Sequence, residues 1–366
     1  MALTIKALNN DCTFLLTFSP PIAPKDVKSP ELFPGAYTVL IDPWLSGAAQ
    51  IYSPKFSSQE HVEPSCIASL DELPEPDLIL ISQDKPDHCH EETLCQLSPH
   101  IRSTILGPVA AAKKIRSWQH FDFSCVQTLR KYSRRKDETV FRIEIPPFSP
   151  SGSPGEVTVS LLTPKRDFHG IHNAIGITYR PPCSVLSLNM RSYVNIPQTP
   201  TSPHAVVRPM TPRVVAARAN TIFPSPYNNH EKTISVLYSP HGLPYETIKP
   251  WASTHLVNEA ALPLAALIHS FVQIDIPWYM GGNMAAGGLG GLEIAKNLLP
   301  KVWIGAHDEE KKSQGIVTRW IWRKEFGVED IKKRLWGEMD AANPRLGSHT
   351  DVIKLESGKG FRIEAR

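Results

Sequence analysis

Apolar residues in this chain come mostly in short runs that stop abruptly at polar or turn-forming residues, the pattern of strands buried on both faces. Leu3 to Leu8 and Thr13 to Phe18 predict a strand pair turning at Asn9-Asn10-Asp11. Tyr37 to Ile41 predicts a strand ending in Asp42-Pro43-Trp44-Leu45-Ser46-Gly47. The run Leu78-Ile79-Leu80-Ile81 predicts a buried strand that feeds a dense polar packet, Ser82-Gln83-Asp84-Lys85-Pro86-Asp87-His88-Cys89-His90. Glu91-Glu92-Thr93-Leu94 then predicts the first turn of a helix, Thr104 to Gly107 a strand, and Val109 to Trp118 a helix. Further strands are predicted at Thr139 to Ile145, Val157 to Thr163, Ile177 to Arg180, Ser184 to Leu188 and Ile234 to Ser239. Leu256 to Phe271 is apolar over most of its surface and predicts a buried helix, with His269 as a core histidine. The Gly-rich stretch 281–291 opens a helix predicted at Leu292 to Leu299. A strand at Val302 to Ala306, helical segments at Ile316 to Arg323 and Val328 to Leu335, and a last strand near Phe361-Arg362-Ile363 complete the pattern. Strands alternating with helices predict an α/β fold.

Composition narrows the function classes. The 366 residues can bury a sizeable core, and the predicted organisation is a single domain over 1–366. A Pro-, Thr- and Ser-rich insertion at about 191–232 shows little periodicity and reads as an insert or a lid. A formal net charge of +3 implies no polyanionic partner, and Arg130-Lys131-Tyr132-Ser133-Arg134-Arg135-Lys136 reads as a solvated loop; no nucleic acid is expected. The 6 cysteines fall at 12, 66, 89, 95, 125 and 183 without a CxxC pair, which predicts a reduced protein. No signal peptide and no membrane-spanning run is evident, so a cytoplasmic location without membrane partners is expected. The Gly-rich stretch lacks both G-x-G-x-x-G and a preceding strand, which weakens phosphate binding as a reading.

The candidate chemistry sits where apolar strands end. Polar packets recur at about 42, 84–88, 169–172, 241 and 307. Their order resembles the metallo-β-lactamase superfamily, whose H-x-H-x-D-H motif stands at the end of a buried strand. Here that motif reads Gln83-Asp84-Lys85-Pro86-Asp87-His88, keeping its second half and losing both leading histidines. The signatures SQDKPDHCH, HNAIG and AHDE resemble those of lactamase-like proteins of filamentous fungi. The resemblance implies a metallo-β-lactamase-like αββα sandwich.

Carried over residue by residue, the resemblance implies that Asp87, His88 and His307 hold one divalent metal, zinc or another ion. His241, at the position of a bridging carboxylate, is a candidate fourth ligand. One ion per chain is expected, because Gln83 and Lys85 replace two ligands of the other site. The implied activity is hydrolysis of a small organic ester, lactam or thioester through a mononuclear metal-bound water. Lys85 stands where a metal is lost, and its ammonium is expected to bind a substrate carboxylate or oxyanion. The packet Asp167-Phe168-His169-Gly170-Ile171-His172 offers two histidines; His172 is preferred because it runs directly into the next strand. Lys85, Asp87, His172 and His241 are therefore the candidate catalytic residues.

Alternatives stay open. Gln83, Lys85 and Asp87 also read as a hydrogen-bonded plug in a metal-free lyase, isomerase or ligand-binding protein that uses Lys85 and His172. Asp42 reads equally as a turn cap or as a carboxylate orienting a metal ligand. Trp44, Tyr238, Trp278 and Tyr279 read as pocket lining or as core. Asp308-Glu309-Glu310 reads as a helix start, with Asp308 placed to orient His307.

Overall fold

The structure, a computed structural model, describes residues 1–364 except 22, 24–29, 149–153, 166, 168, 183, 188–191, 196–232 and 343–349. Two seven-stranded sheets form its body. The first runs Gly360–Glu364, Ala2–Ala7, Phe14–Ser19, Tyr37–Ile41, Leu78–Leu80, Thr104–Gly107 and Val126–Thr128 across its width. Pairing is antiparallel as far as Tyr37–Ile41 and parallel beyond it. The second runs Asp351–Ile353, Val302–Ile304, Ala266–His269, Ile234–Ser239, Ala174–Arg180, Gly155–Leu162 and Phe141–Ile145. Its first four strands are parallel and the rest antiparallel.

The side-chain period of two sorts each buried strand between two cores. Leu78 and Leu80 join Phe14, Val39, Ile177, Val236, Ile268 and Ile304 between the sheets. Ile79 and Ile81 point the other way, onto Ala111, Ala112 and Ile115 of the helix Val109–Ser117. Leu237, Leu267 and Trp303 likewise pack outward on Trp251, Leu292 and Ile331, which lie on the helices Tyr245–Trp251, Gly287–Leu298 and Val328–Ala342. Helix, sheet, sheet, helix is the αββα sandwich. The central strands are apolar on both sides because each face is covered, which is why the sequence shows runs rather than alternation.

Three expectations give way. Leu256 to Phe271 is not one helix: helical turns end at Asn258, and Ala266–His269 is a central parallel strand. A run apolar on every side looks the same as buried helix or doubly buried strand, and Pro263, which lacks an N–H, breaks any helix there. The last helix of the Gly-rich stretch begins at Gly287, not Leu292. Its Gly291 lies against the Trp303 indole, where a Cβ would come within 2.1 Å. Ile316 to Arg323 is a 3-10 turn, Val317–Trp320, followed by the strand Trp322–Glu325. Among the described residues the strand at Ser184–Ser187 pairs with Ser192–Asn195; the rest of the expected insertion, 191 and 196–232, lies outside them.

Candidate metal centre

Strand ends from the two sheets meet at one edge of the sandwich. Asp42 follows Tyr37–Ile41 in a left-handed conformation (φ 42°), which Asp tolerates better than most residues. Its fully buried carboxylate accepts hydrogen bonds from Ser82 N (2.7 Å), Ser82 Oγ (2.6 Å), the Tyr238 hydroxyl (2.7 Å) and His88 Nδ1 (2.7 Å). Asp42 is thus the residue that orients His88, well beyond a turn cap. His241 follows Ile234–Ser239 and donates from Nδ1 to the Met284 carbonyl at 2.8 Å. Gly242 behind it (φ +83°) leaves room where a Cβ would press within 2.6 Å of Ala286. His307 follows Val302–Ile304, also left-handed (φ 60°), and its N–H donates to the Asp11 carbonyl at 2.8 Å.

These anchors gather Asp87, His88, His241 and His307, with one donor atom of each within 4.8 Å of all the others. The imidazole centroids lie 4.5 to 5.1 Å apart. His88 Nε2 and His241 Nε2 approach to 3.0 Å. Both Nδ1 atoms are committed to acceptors, a carboxylate and a carbonyl, so in the neutral rings both Nε2 lone pairs face each other. At that distance the two nitrogens repel unless a cation or a proton lies between them, although the Gln83 amide is a further donor beside His241 Nε2. The Gln83 Oε1 acceptor is also buried there without a hydrogen-bond partner, while its Nε2 lies 2.9 Å from His241 Nε2. Three imidazoles and one carboxylate converging in this way fit a borderline-soft divalent ion such as zinc.

The electrostatics follow from burial and neighbours. Burial, with His307 and His88 close by, holds His241 well below the ordinary imidazole value. Burial also pulls His88 down, but Asp87 and Asp42 outweigh it and leave the group raised. His307 is lowered by burial and by Lys311. Asp87 resists the upward pull of burial because His88, Lys311 and His307 hold it below the usual carboxylate range. The centre therefore keeps an ionised carboxylate beside one imidazole, His241, that is held firmly neutral, while Asp87 and Asp42 hold His88 toward its charged form.

Other expected residues lie elsewhere. Lys85 Nζ sits 3.3 Å from Asp84 Oδ1 with its side chain 32% exposed. His172 has Nδ1 3.2 Å from the Gly242 carbonyl and Nε2 3.0 Å from the Asn283 carbonyl, bracing the loop behind His241. His169 is exposed and packs against Gly281. Trp44 and Tyr238 are fully buried, whereas Trp278 and Tyr279 are 86% and 65% exposed, so these aromatics form no common pocket wall. Asp308 does not hold His307; it accepts from the N–H groups of Phe271 (2.7 Å) and Val272 (2.8 Å), and burial pushes its carboxyl up to about 7. No helix starts at 308–310, where Glu309 instead binds Val62 N at 2.9 Å.

Sequence reasoning missed Asp11 and Lys311. Both are buried, with Lys311 Nζ 2.9 Å from Asp11 Oδ2, 3.2 Å from His307 Nδ1 and 3.9 Å from Asp87 Oδ2. Asp11 reads as a turn residue, and Lys311 directly follows the acidic Asp308-Glu309-Glu310. Only their separation from the apolar periodicity marked them, and that signal is shared by every loop charge.

Among the described residues no helix is long and apolar enough to cross a membrane. No curated protein matches the chain by sequence. Among solved structures it is similar to Igni18, a metallo hydrolase from the archaeon Ignicoccus hospitalis, at 12% identity and TM-score 0.46 with all of both chains covered. It is similar to an isothiocyanate hydrolase from Delia radicum gut bacteria at 10% identity and TM-score 0.45, covering 99% of this chain and 100% of that one. It is also similar to CmlA, a diiron β-hydroxylase from Streptomyces venezuelae, at 13% identity and TM-score 0.48, covering 98% of this chain and 54% of that one. Residues 33–147 match the family profile of the beta-lactamase superfamily domain, and this stretch holds Asp42, Asp87 and His88. Over residues 33–147 the chain thus matches the beta-lactamase superfamily domain, and its architecture is the metallo-β-lactamase-like αββα fold.

Proposed function

We propose that this chain is a hydrolase of small organic esters, lactams or thioesters that works with one divalent ion, zinc by preference, held by Asp87, His88, His241 and His307. The observation that carries the reading is the 3.0 Å approach of His88 Nε2 to His241 Nε2, with both Nδ1 atoms already committed. A divalent ion bound there would supply Lewis acidity toward a carbonyl and would lower the pKa of water beside it toward neutrality.

The chain's own residues do the rest. Asp42 keeps the His88 proton on Nδ1 and so presents Nε2 to the centre; the Met284 carbonyl does the same for His241. Asp87 keeps an ionised oxygen at the mouth, its side chain 13% exposed, where it can accept a proton from an attacking water. The Gln83 amide, beside His241, is placed to donate to a carbonyl oxygen. Lys311 holds positive charge behind His307 and Asp87. Five cysteines are free among the described residues, in keeping with a reduced, cytoplasmic setting.

Elemental analysis of protein purified without chelator tests the reading. One equivalent of metal is expected, lost in an Asp87→Ala/His88→Ala variant, with ester, lactam or thioester hydrolysis lost in parallel and restored to the parent by added zinc. A folded parent that takes up no divalent ion, or a variant that keeps its full equivalent, would refute it.

A further inference from the structure

Behind the metal centre a second group of donors converges. Asp11, Cys12 and His307 are all buried, with one donor atom each within 4.8 Å of the others. Asp11 Oδ1 is buried with His307 Nδ1 beside it, at 3.4 Å, and Cys12 Sγ lies 3.3 Å from Asp11 Oδ2. His307 turns its two nitrogens to different neighbours: Nε2 lies 3.9 Å from Asp87 Oδ2, and Nδ1 lies 3.2 Å from Lys311 Nζ. The Lys311 ammonium sits among these donors, 2.9 Å from Asp11 Oδ2 and 5.3 Å above the Trp44 ring.

We propose that the Lys311 ammonium is a built-in cation filling a second cation position made by Asp11, Cys12 and His307, and that removing it opens that position to a soft divalent ion. The exchange releases protons. Loss of the ammonium removes one positive charge, and a divalent ion adds two. The Cys12 thiol and the His307 Nδ1–H each give one proton to solvent, because His307 Nε2 already faces the first ion. The site ends one charge more negative. A carboxylate, a thiolate and an imidazolate form a donor set that prefers zinc, cadmium or cobalt to magnesium or calcium. Asp11 would otherwise be a buried carboxylate without its counter-charge, which is strongly unfavourable, and this drives uptake of a replacement cation. The chain accordingly limits itself to one exchangeable ion through a side chain that cannot dissociate. The inference rests on the hydrolase reading only for the identity of the first ion.

The test counts cobalt in the full chain, in Lys311→Ala and in Lys311→Gln, the last as insurance should the smaller side chain prevent folding. Each folded variant is expected to hold one equivalent more than the parent and to gain a thiolate-to-cobalt charge-transfer band in the near ultraviolet. Adding Cys12→Ser should abolish the band. A variant with native circular dichroism, the parent's cobalt count and no thiolate band would overturn the proposal. An added equivalent whose ligation ignores Cys12→Ser would overturn it too, because the ion would then lie elsewhere. Since the readout is a difference, a parent without metal would sink the hydrolase reading while leaving this comparison intact.

Discussion

Asp42→Asn isolates what one buried carboxylate does for the centre. Asn is nearly isosteric and tolerates the left-handed backbone at this position (φ 42°), so the chain path need not change. The carboxylate takes three of its donors on Oδ2, from Ser82 Oγ, Tyr238 and His88 Nδ1, and one on Oδ1, from Ser82 N. The amide oxygen can keep the first three, but its NH2 then faces the Ser82 N–H, and two donors meet with no acceptor. A buried unsatisfied donor costs about 1–3 kcal/mol, and three charge-assisted bonds become ordinary ones at roughly 0.5 kcal/mol each. The sum is a loss of about 3 kcal/mol in stability of the metal-free protein. Metal affinity should fall on the order of 10- to 100-fold, because His88 loses the carboxylate that orients it. Urea unfolding in chelator measures the first number, and competition with a chromophoric zinc chelator measures the second. A variant with metal affinity within about threefold of the parent and stability within about 0.5 kcal/mol would show that Asp42 does not govern His88.

Two further outcomes follow from packing and protonation. Gly291→Ala would place a Cβ 2.1 Å from the fully buried Trp303 ring, so despite a helix-propensity gain of about 1 kcal/mol it should destabilise by about 2 kcal/mol, read from thermal unfolding. Unchanged or raised stability would mean that the indole yields freely. His255, buried and 2.8 Å from Thr158 Oγ1, is lowered by burial and by Arg142 from 6.5 to about 4. A depressed folded value gives a contribution that is present above 6.5 and lost as pH falls through about 4. His269, lowered to about 4 by burial, behaves alike. Unfolding free energy should therefore drop by about 2 kcal/mol per histidine between about pH 7 and pH 5, and His255→Gln should remove about half of that combined slope. An unchanged slope in the variant would exclude His255 as its source.

Much of this architecture is local in origin. The runs Leu78–Ile81 and Ile234–Ser239 had to be buried strands, because so many consecutive apolar residues bounded by turn formers leave little else. The polar residues behind them had to gather wherever those strands ended. Asp87, His88, His241 and His307 could be read as one group because chain order and strand ends already carry that geometry. Tertiary structure alone decided the rest. Leu256 to Phe271 has no period to distinguish helix from doubly covered strand, so its state depended on which layer it entered. Lys85 and Lys311 are both loop lysines in sequence, yet one pairs with Asp84 at the rim and the other is buried on Asp11. A long flexible side chain leaves no periodic trace of its direction. Its destination is set by which buried carboxylate needs a counter-charge, and that need arises only when Asp11 and His307, nearly the whole chain apart, are brought together by the closing sheets.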